Sequence, residues 1–254
     1  MGRPSAIELL VLAPVFGYLN IGAWSLAAAT AACIGLAAFW FSPSHACAGA
    51  KLVALRIATC ITFAIGLVVA LYTGLFLAAM KAVPLWHVGR SCLTPTLFLA
   101  SSLSCGVAVF NAMLHLSGED AVFRPLCRLL AKADLALLAV EALAAMALLV
   151  LAANISATPT GQAAAVGAAA LISGAQSSLW WGGFVGAGLL LAAVCDFALA
   201  RQTVARKRSR ILRDTMIPAR RTTAVVLMVA VCIGAFSIRA ALVMAGVHPA
   251  ISIL

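Results

Sequence analysis

The ionisable side chains of Asp134, Glu141, Asp196 and Arg239 stand inside long apolar runs of this 254-residue chain. Burying a charge in hydrocarbon costs at least about 2.5–3.5 kcal/mol on insertion scales, so each is a candidate for function. Asp134 and Glu141 are seven residues apart, two helical turns, which puts both carboxylates on one helix face. That placement suits a proton path, and equally a pair of acids held by a basic partner or by hydroxyls. Asp196 lies five residues before Arg201 and reads as an interfacial pair with it. Ser101, Ser104, Asn111 and His115, spaced by three, seven and four, form a polar stripe on a helix otherwise rich in Leu, Phe and Val. Such a stripe must face protein or water, for interhelical hydrogen bonding or for a transport or proton path. Tyr72 and Arg239 fall at similar depths, roughly 30 Å and 27 Å along their helices from the basic side. The two are expected near one outer-leaflet cavity, although Tyr also serves as a plain interfacial anchor.

Other chemistries find no residues to carry them. A bis-histidine haem site needs two ligands within the bundle, and His115 is the sole histidine inside an apolar run, so no haem is expected. The eight cysteines are scattered without a C-x-x-C pair and read as small buried apolar residues rather than metal ligands or disulfides. Nucleophilic triads, phosphate-binding Gly loops and metal clusters are not discernible. No residue is therefore assigned a catalytic or metal-binding role.

The elements that must position these side chains follow from composition. The chain is 65% hydrophobic and 9% charged, with a mean hydropathy of +1.13, whereas soluble domains are about 45–50% apolar and about a quarter charged. Six apolar segments, about 16–41, 52–80, 93–116, 133–153, 170–199 and 222–247, each reach the roughly 20 residues that span a bilayer. Their long Ala- and Leu-rich runs lack the alternation of barrel strands. The fold class is all-α, a polytopic transmembrane bundle forming a single domain over residues 1–254. Breakers lie at Ser42-Pro43-Ser44, Pro84, Pro125 and Thr158-Pro159-Thr160-Gly161. Gly182 and Gly186 make a G-x-x-x-G spacing expected to admit a neighbouring backbone. Met1 to Pro14 does not resemble a cleavable signal, and Ala6 stands where a myristoylation signal needs Ser or Thr.

Loop charge sets the expected orientation. Twelve Lys and Arg residues, from Lys51, Arg124, Arg128 and Lys132 to the run Arg201–Arg221, fall on one side, against Arg3, Lys81 and Arg90 on the other. The positive-inside tendency then puts the 201–221 loop in the cytoplasm and both termini outside. The net charge of +10 serves topology and anionic lipid, not nucleic acid, for it is one-sided and lacks aromatic interleaving.

Tyr72-Thr73-Gly74, then Lys81-Ala82-Val83-Pro84-Leu85-Trp86, then Pro95-Thr96-Leu97-Phe98-Leu99 with Ser101-Ser102 and Gly106, occur in an order that resembles the NrfD/PsrC family. Asp134 and Glu141 match its D-x6-E helix, and Gly234, Arg239 and Ala245-Gly246 its last helix. Gly2-Arg3-Pro4 and Gly22-Ala23-Trp24 are similar to its G-R-P loop and G-x-W motif. The resemblance runs nearly end to end. It implies the membrane anchor of a polysulfide-reductase-like complex in a bacterial inner membrane, contributing to anaerobic respiration. Such an anchor exchanges electrons between menaquinone or ubiquinone and an iron–sulfur subunit, which wires a molybdopterin catalytic subunit. Iron–sulfur and molybdopterin groups would then sit only in partners. By the same resemblance Tyr72 and Arg239 are quinone-side positions, while Asp134, Glu141 and Arg239 are intramembrane charges. Family members usually have eight helices, and this chain starts at what looks like the loop after the second; Gly17-Tyr18-Leu19 replaces the usual Ser-Pro-Met.

Two other functions compete with this expectation. A small-solute or proton transporter is suggested by the 101–115 stripe and the paired carboxylates, although no repeat relates the two halves. A structural anchor that holds a partner without quinone chemistry is the other.

Overall fold

The structure is a computed structural model that describes residues 18–41, 48–88, 92–118, 122–154, 158–202 and 211–251. Gly2-Arg3-Pro4, Gly17, Ser42-Pro43-Ser44, Arg90 and the basic residues Arg206, Lys207, Arg208 and Arg210 lie outside the described residues. The chain divides into two compact units, Met1–Leu77 and Ala78–Leu254.

The first unit holds α1 (Tyr18–Phe41) and α2 (Ala48–Ala79), whose last two residues pass into the second unit. Ala, Leu and Ile occupy every face of both helices, and most of these side chains point outward. An all-round apolar helix is soluble in lipid without an amphipathic stripe. Thr30, Thr59 and Thr62 turn their hydroxyls back onto carbonyls four residues earlier, at 2.8–2.9 Å, which satisfies them without water.

The second unit begins with a 3-10 turn, Pro84–His87, followed by α3 (Leu93–Leu116), α4 (Arg124–Asn154) and the short α5 (Pro159–Ile172). A π-helix over Leu179–Leu191 then runs straight into α6 (Ala192–Gln202), and α7 (Ile211–Ile251) closes the unit. Helix α7 packs against α3, α5, α6 and the π-helix. Alanine makes these approaches possible: Ala108, Ala112, Ala192, Ala224, Ala241 and Ala245 are all fully buried. Without a hydrophobic driving force between helices in lipid, such close contact between small residues is what holds a bundle together.

Among the described residues, six helices are long and apolar enough to cross a membrane: Asn20–Phe39, Lys51–Ala79, Leu93–Leu116, Pro125–Asn154, Leu179–Arg201 and Ala219–Gly246. The chain is an all-helical multi-pass membrane protein. The third span matches its expected bounds. The fourth helix starts at Arg124, nine residues before the apolar run, because Pro125 at its first turn costs no intrahelical bond.

The fifth span departs from expectation. The apolar stretch from Ala170 is not one helix, for α5 ends at Ile172 and a new helix begins after a turn at Ser173-Gly174. A Cβ on Gly174 would lie 2.7 Å from the Ala170 Cα, so the reversal needs glycine. Helix α5 is capped by Thr158, which accepts from the Gly161 amide at 3.1 Å, with Pro159 in its first turn. Trp181 Nε1 donates to the Ile172 carbonyl at 2.8 Å, covering its last turn.

The glycine contact also falls elsewhere than Gly182 and Gly186. Gly182 faces open space, whereas Gly183 packs on Ser237 and Gly188 on Gly234 of α7. The physical reason is the π-helix. Its i→i+5 hydrogen bonding brings residues five apart onto one face, in place of the four-residue spacing of G-x-x-x-G.

Candidate functional site

The polar stripe of α3 is buried along its whole length. Ser101, Ser104 and Asn111 are at most 1% exposed and His115 is 4% exposed. A helix of this spacing carries all four on one face, and α4 and α7 cover that face. His115 is engaged in an interaction of its own.

At the stripe's upper end stands Arg239, half-buried on α7. Its Nη2 donates to Ser102 Oγ at 2.8 Å and, at longer range, to the Phe98 carbonyl at 3.4 Å. Its Nη1 donates to the Ala235 carbonyl at 3.0 Å, and 3.5 Å separates it from Ser101 Oγ. The guanidinium carbon sits 5.4 Å from the Phe98 ring centroid, a cation–π distance. Arg239 is thus tied to α3 by hydroxyls and a carbonyl, which leaves its positive charge in place. Glu141, 5% exposed on α4, lies within electrostatic reach of both Arg239 and Asp134.

Asp134 is 1% exposed and accepts a hydrogen bond from Ser104 Oγ through Oδ1. Its carboxyl also faces that of Asp196 on α6. The expected pairing of Asp196 with Arg201 is therefore replaced. Asp196 is fully buried, and Arg201 instead stacks 4.2 Å from the Phe197 ring centroid. Spacing along a helix brought Asp196 and Arg201 near in sequence, but the π-helix sets which way α6 faces, and it turns Asp196 inward.

Motif residues of the second unit that have no chemistry of their own position this line. Trp86 is 6% exposed, and its Nε1 donates to the Leu242 carbonyl at 2.9 Å. The indole packs on Gly246, where a Cβ would come within 2.5 Å of Nε1. Thr94 Oγ1 closes the loop by donating to the Trp86 carbonyl at 3.1 Å. Together they pin the 3-10 turn and the start of α3 to α7, one helical segment beyond Arg239. An open cavity between that turn and α5 is lined by Lys81, Pro84, His87 and Thr160, and by none of Asp134, Glu141, Asp196, Arg239 or the α3 stripe.

In the first unit, Tyr72 rests on Gly22: a Cβ at Gly22 would clash with Cζ, Cε1 and Oη of the phenol. Phe76 packs beside it, with ring centroids 5.9 Å apart. The Gly22 of the G-x-W motif therefore has a physical use, the seating of Tyr72. Trp24, in contrast, is 55% exposed.

The cysteines divide. Cys127 and Cys195 are buried, Cys105 is half-buried, and Cys33, Cys60, Cys92 and Cys232 are exposed, all as free thiols. The expectation of small buried residues thus fails for the outward-facing four, because an apolar thiol is equally at home against lipid. Asp196, by its contact with Asp134, is the site residue that sequence reading misplaced.

A family model described as polysulphide reductase, NrfD, matches residues 1–248. No match is found among curated proteins or among solved structures.

Proposed function

The chain belongs to the NrfD family of polysulphide reductase, membrane anchors of quinone-interacting oxidoreductase complexes, and we propose that it exchanges electrons between a membrane quinone and an iron–sulfur partner subunit. The partner in turn serves a molybdopterin catalytic subunit. Menaquinone or ubiquinone is the bound substrate, and Tyr72 and Arg239 are each a quinone contact. The membrane is the bacterial inner membrane, with both termini outside, a reading supported by the one-sided loop charge.

The observation that carries this reading is Arg239. A guanidinium within a membrane span, fixed by Ser102 and two carbonyls, can hold a permanent positive charge where a reduced quinone oxygen gains negative charge. Quinone reduction consumes two protons with two electrons, and the line Glu141, Asp134 and His115 offers groups to carry them. Arg cannot be deprotonated and so stabilises charge, whereas the carboxyls and the imidazole can pass protons on.

The test is titration of a quinol analogue against the assembled complex, together with quinol-dependent reduction of the partner. Charged hydrogen bonds are worth about 1.5–3 kcal/mol, so Arg239→Ala is expected to weaken the analogue roughly tenfold to a hundredfold. Unchanged binding and electron flow in both Arg239→Ala and Tyr72→Phe would sink these contacts. A second reading, a small-solute or proton transporter, is favoured by the buried carboxyls alone. Uptake by the purified chain without partners selects it. Partner capture with no quinone-dependent electron flow selects a structural anchor instead.

A further inference from the structure

Asp134 and Asp196 sit face to face in the half of the second unit that leads to the 203–210 connection, 1% and 0% exposed. Among the described residues, Asp134 Oδ2 and both oxygens of Asp196 have no hydrogen-bond donor. The donor the pair does have is Ser104, on Asp134 Oδ1. Ala108, Leu138, Ala192, Cys195 and Leu199 belong to one buried apolar cluster. By helical spacing, Leu138 is one turn from Asp134, Ala192 one turn from Asp196 and Ala108 one turn from Ser104.

Two carboxylates in contact, without a cation, cannot both be ionised in such surroundings. The orphaned oxygens are all acceptors, so what the site lacks is positive charge or a donor. A bound metal cation fits poorly. It wants six or more oxygens, or several waters, and among the described residues no group of three or more His, Cys, Asp or Glu side chains could hold one. A proton needs only the two carboxyls. Placed on either, it turns the contact into an O–H···O⁻ hydrogen bond and supplies the missing donor.

We propose that Asp134 and Asp196 form a carboxyl–carboxylate pair that holds one exchangeable proton between α4 and α6, a relay station linking Glu141 to the α6 end of the bundle. This rests on the proton-path part of the proposed function and adds Asp196 to it. The proton passes from one carboxyl oxygen to the facing one, so the pair keeps a net charge of minus one, and no electrons move. The groups that face it are Ser104 from α3, Glu141 from α4 and Cys195 from α6.

Infrared spectroscopy of the full-length chain in lipid vesicles, in a Glu141→Gln background, isolates the pair. One protonated-carboxyl C=O band that shifts in D2O is expected, and Asp134→Asn and Asp196→Asn should each abolish it completely. No band, a band removed by adding sodium, or two bands each lost in one variant overturns the proposal. Thermal unfolding in detergent checks that the variants fold. Should the Asn variants not fold, Asp196→Glu keeps the acid and must move the band; an unmoved band is equally fatal. Vectorial proton transfer is measured separately, so failure of the path would leave the band in place, while failure of the pair would remove it.

Discussion

Ser102 Oγ lies 2.8 Å from Arg239 Nη2 and donates to the Phe98 carbonyl at the same distance, so one hydroxyl joins the charged residue of α7 to the backbone of α3. Ser101, its neighbour, stands off at 3.5 Å. Hydrogen bonds weaken over that difference. Ser102→Ala should therefore destabilise the purified protein by about 1.5–3 kcal/mol, and Ser101→Ala by clearly less. Paired thermal melts in detergent measure this; an equal or reversed order would show that Ser102 does not hold Arg239.

Ser104→Ala removes the hydroxyl that donates to Asp134. Depriving a buried carboxyl of its donor costs about 1–3 kcal/mol. Ser117 bonds the Leu114 carbonyl on an exposed face, so Ser117→Ala should stay within about 0.5 kcal/mol of the parent. Chemical or thermal unfolding of the two variants side by side decides the matter.

Trp86 and Gly246 form one joint. Trp86→Phe loses the bond to the Leu242 carbonyl, about 0.5–1.5 kcal/mol. Gly246→Ala drives a methyl to 2.5 Å from the indole nitrogen, an overpacking cost of about 1–3 kcal/mol. Because Phe lacks that nitrogen, the double variant should be more stable than the sum of the single losses predicts. Strict additivity in melting experiments would mean that the two side chains do not meet.

Gly188→Ala places a Cβ 2.6 Å from the Gly234 Cα, and both are backbone-limited, so neither can yield cheaply. A loss of about 1–3 kcal/mol is expected. Gly182→Ala meets nothing within 4 Å and should be neutral or slightly stabilising, since Ala is the better helix former. If Gly182→Ala proves the damaging one, the π-helical register is wrong.

Gly22→Val would displace the Tyr72 ring. If Tyr72 touches quinone, this variant should lower quinol-analogue affinity as Tyr72→Phe does, without changing the residue that makes the contact. Unchanged affinity in Gly22→Val, with weakened affinity in Tyr72→Phe, would separate the hydroxyl from its seat.

Much of this was legible in the sequence, because bilayer length and helical period leave strong marks. The six spans, the α3 stripe and the shared face of Asp134 and Glu141 all follow from one-helix arithmetic. The features that stayed hidden depend on relations between helices or on a change of period within one. Hydropathy reads 170–199 as one apolar run, although α5 ends at Ile172 and Ser173-Gly174 is a turn signal. Gly183 and Gly188, five apart, form no pattern in an α-helical reading. Asp196 drew attention to Arg201, its neighbour along the chain, whereas its contact is Asp134, 62 positions earlier. Nothing local reports which face of α6 turns inward.

The π-helix gives the bundle a sensitivity to chain length as distinct from chemistry. Removing one residue anywhere in 179–191 would let that segment relax toward α-helical winding and rotate α6 by about 100°. Asp196 would then swing from its fellow acid toward lipid, even though every polar group of the site was still encoded. An insertion or deletion there is the kind of lesion that a scan of substitutions never samples.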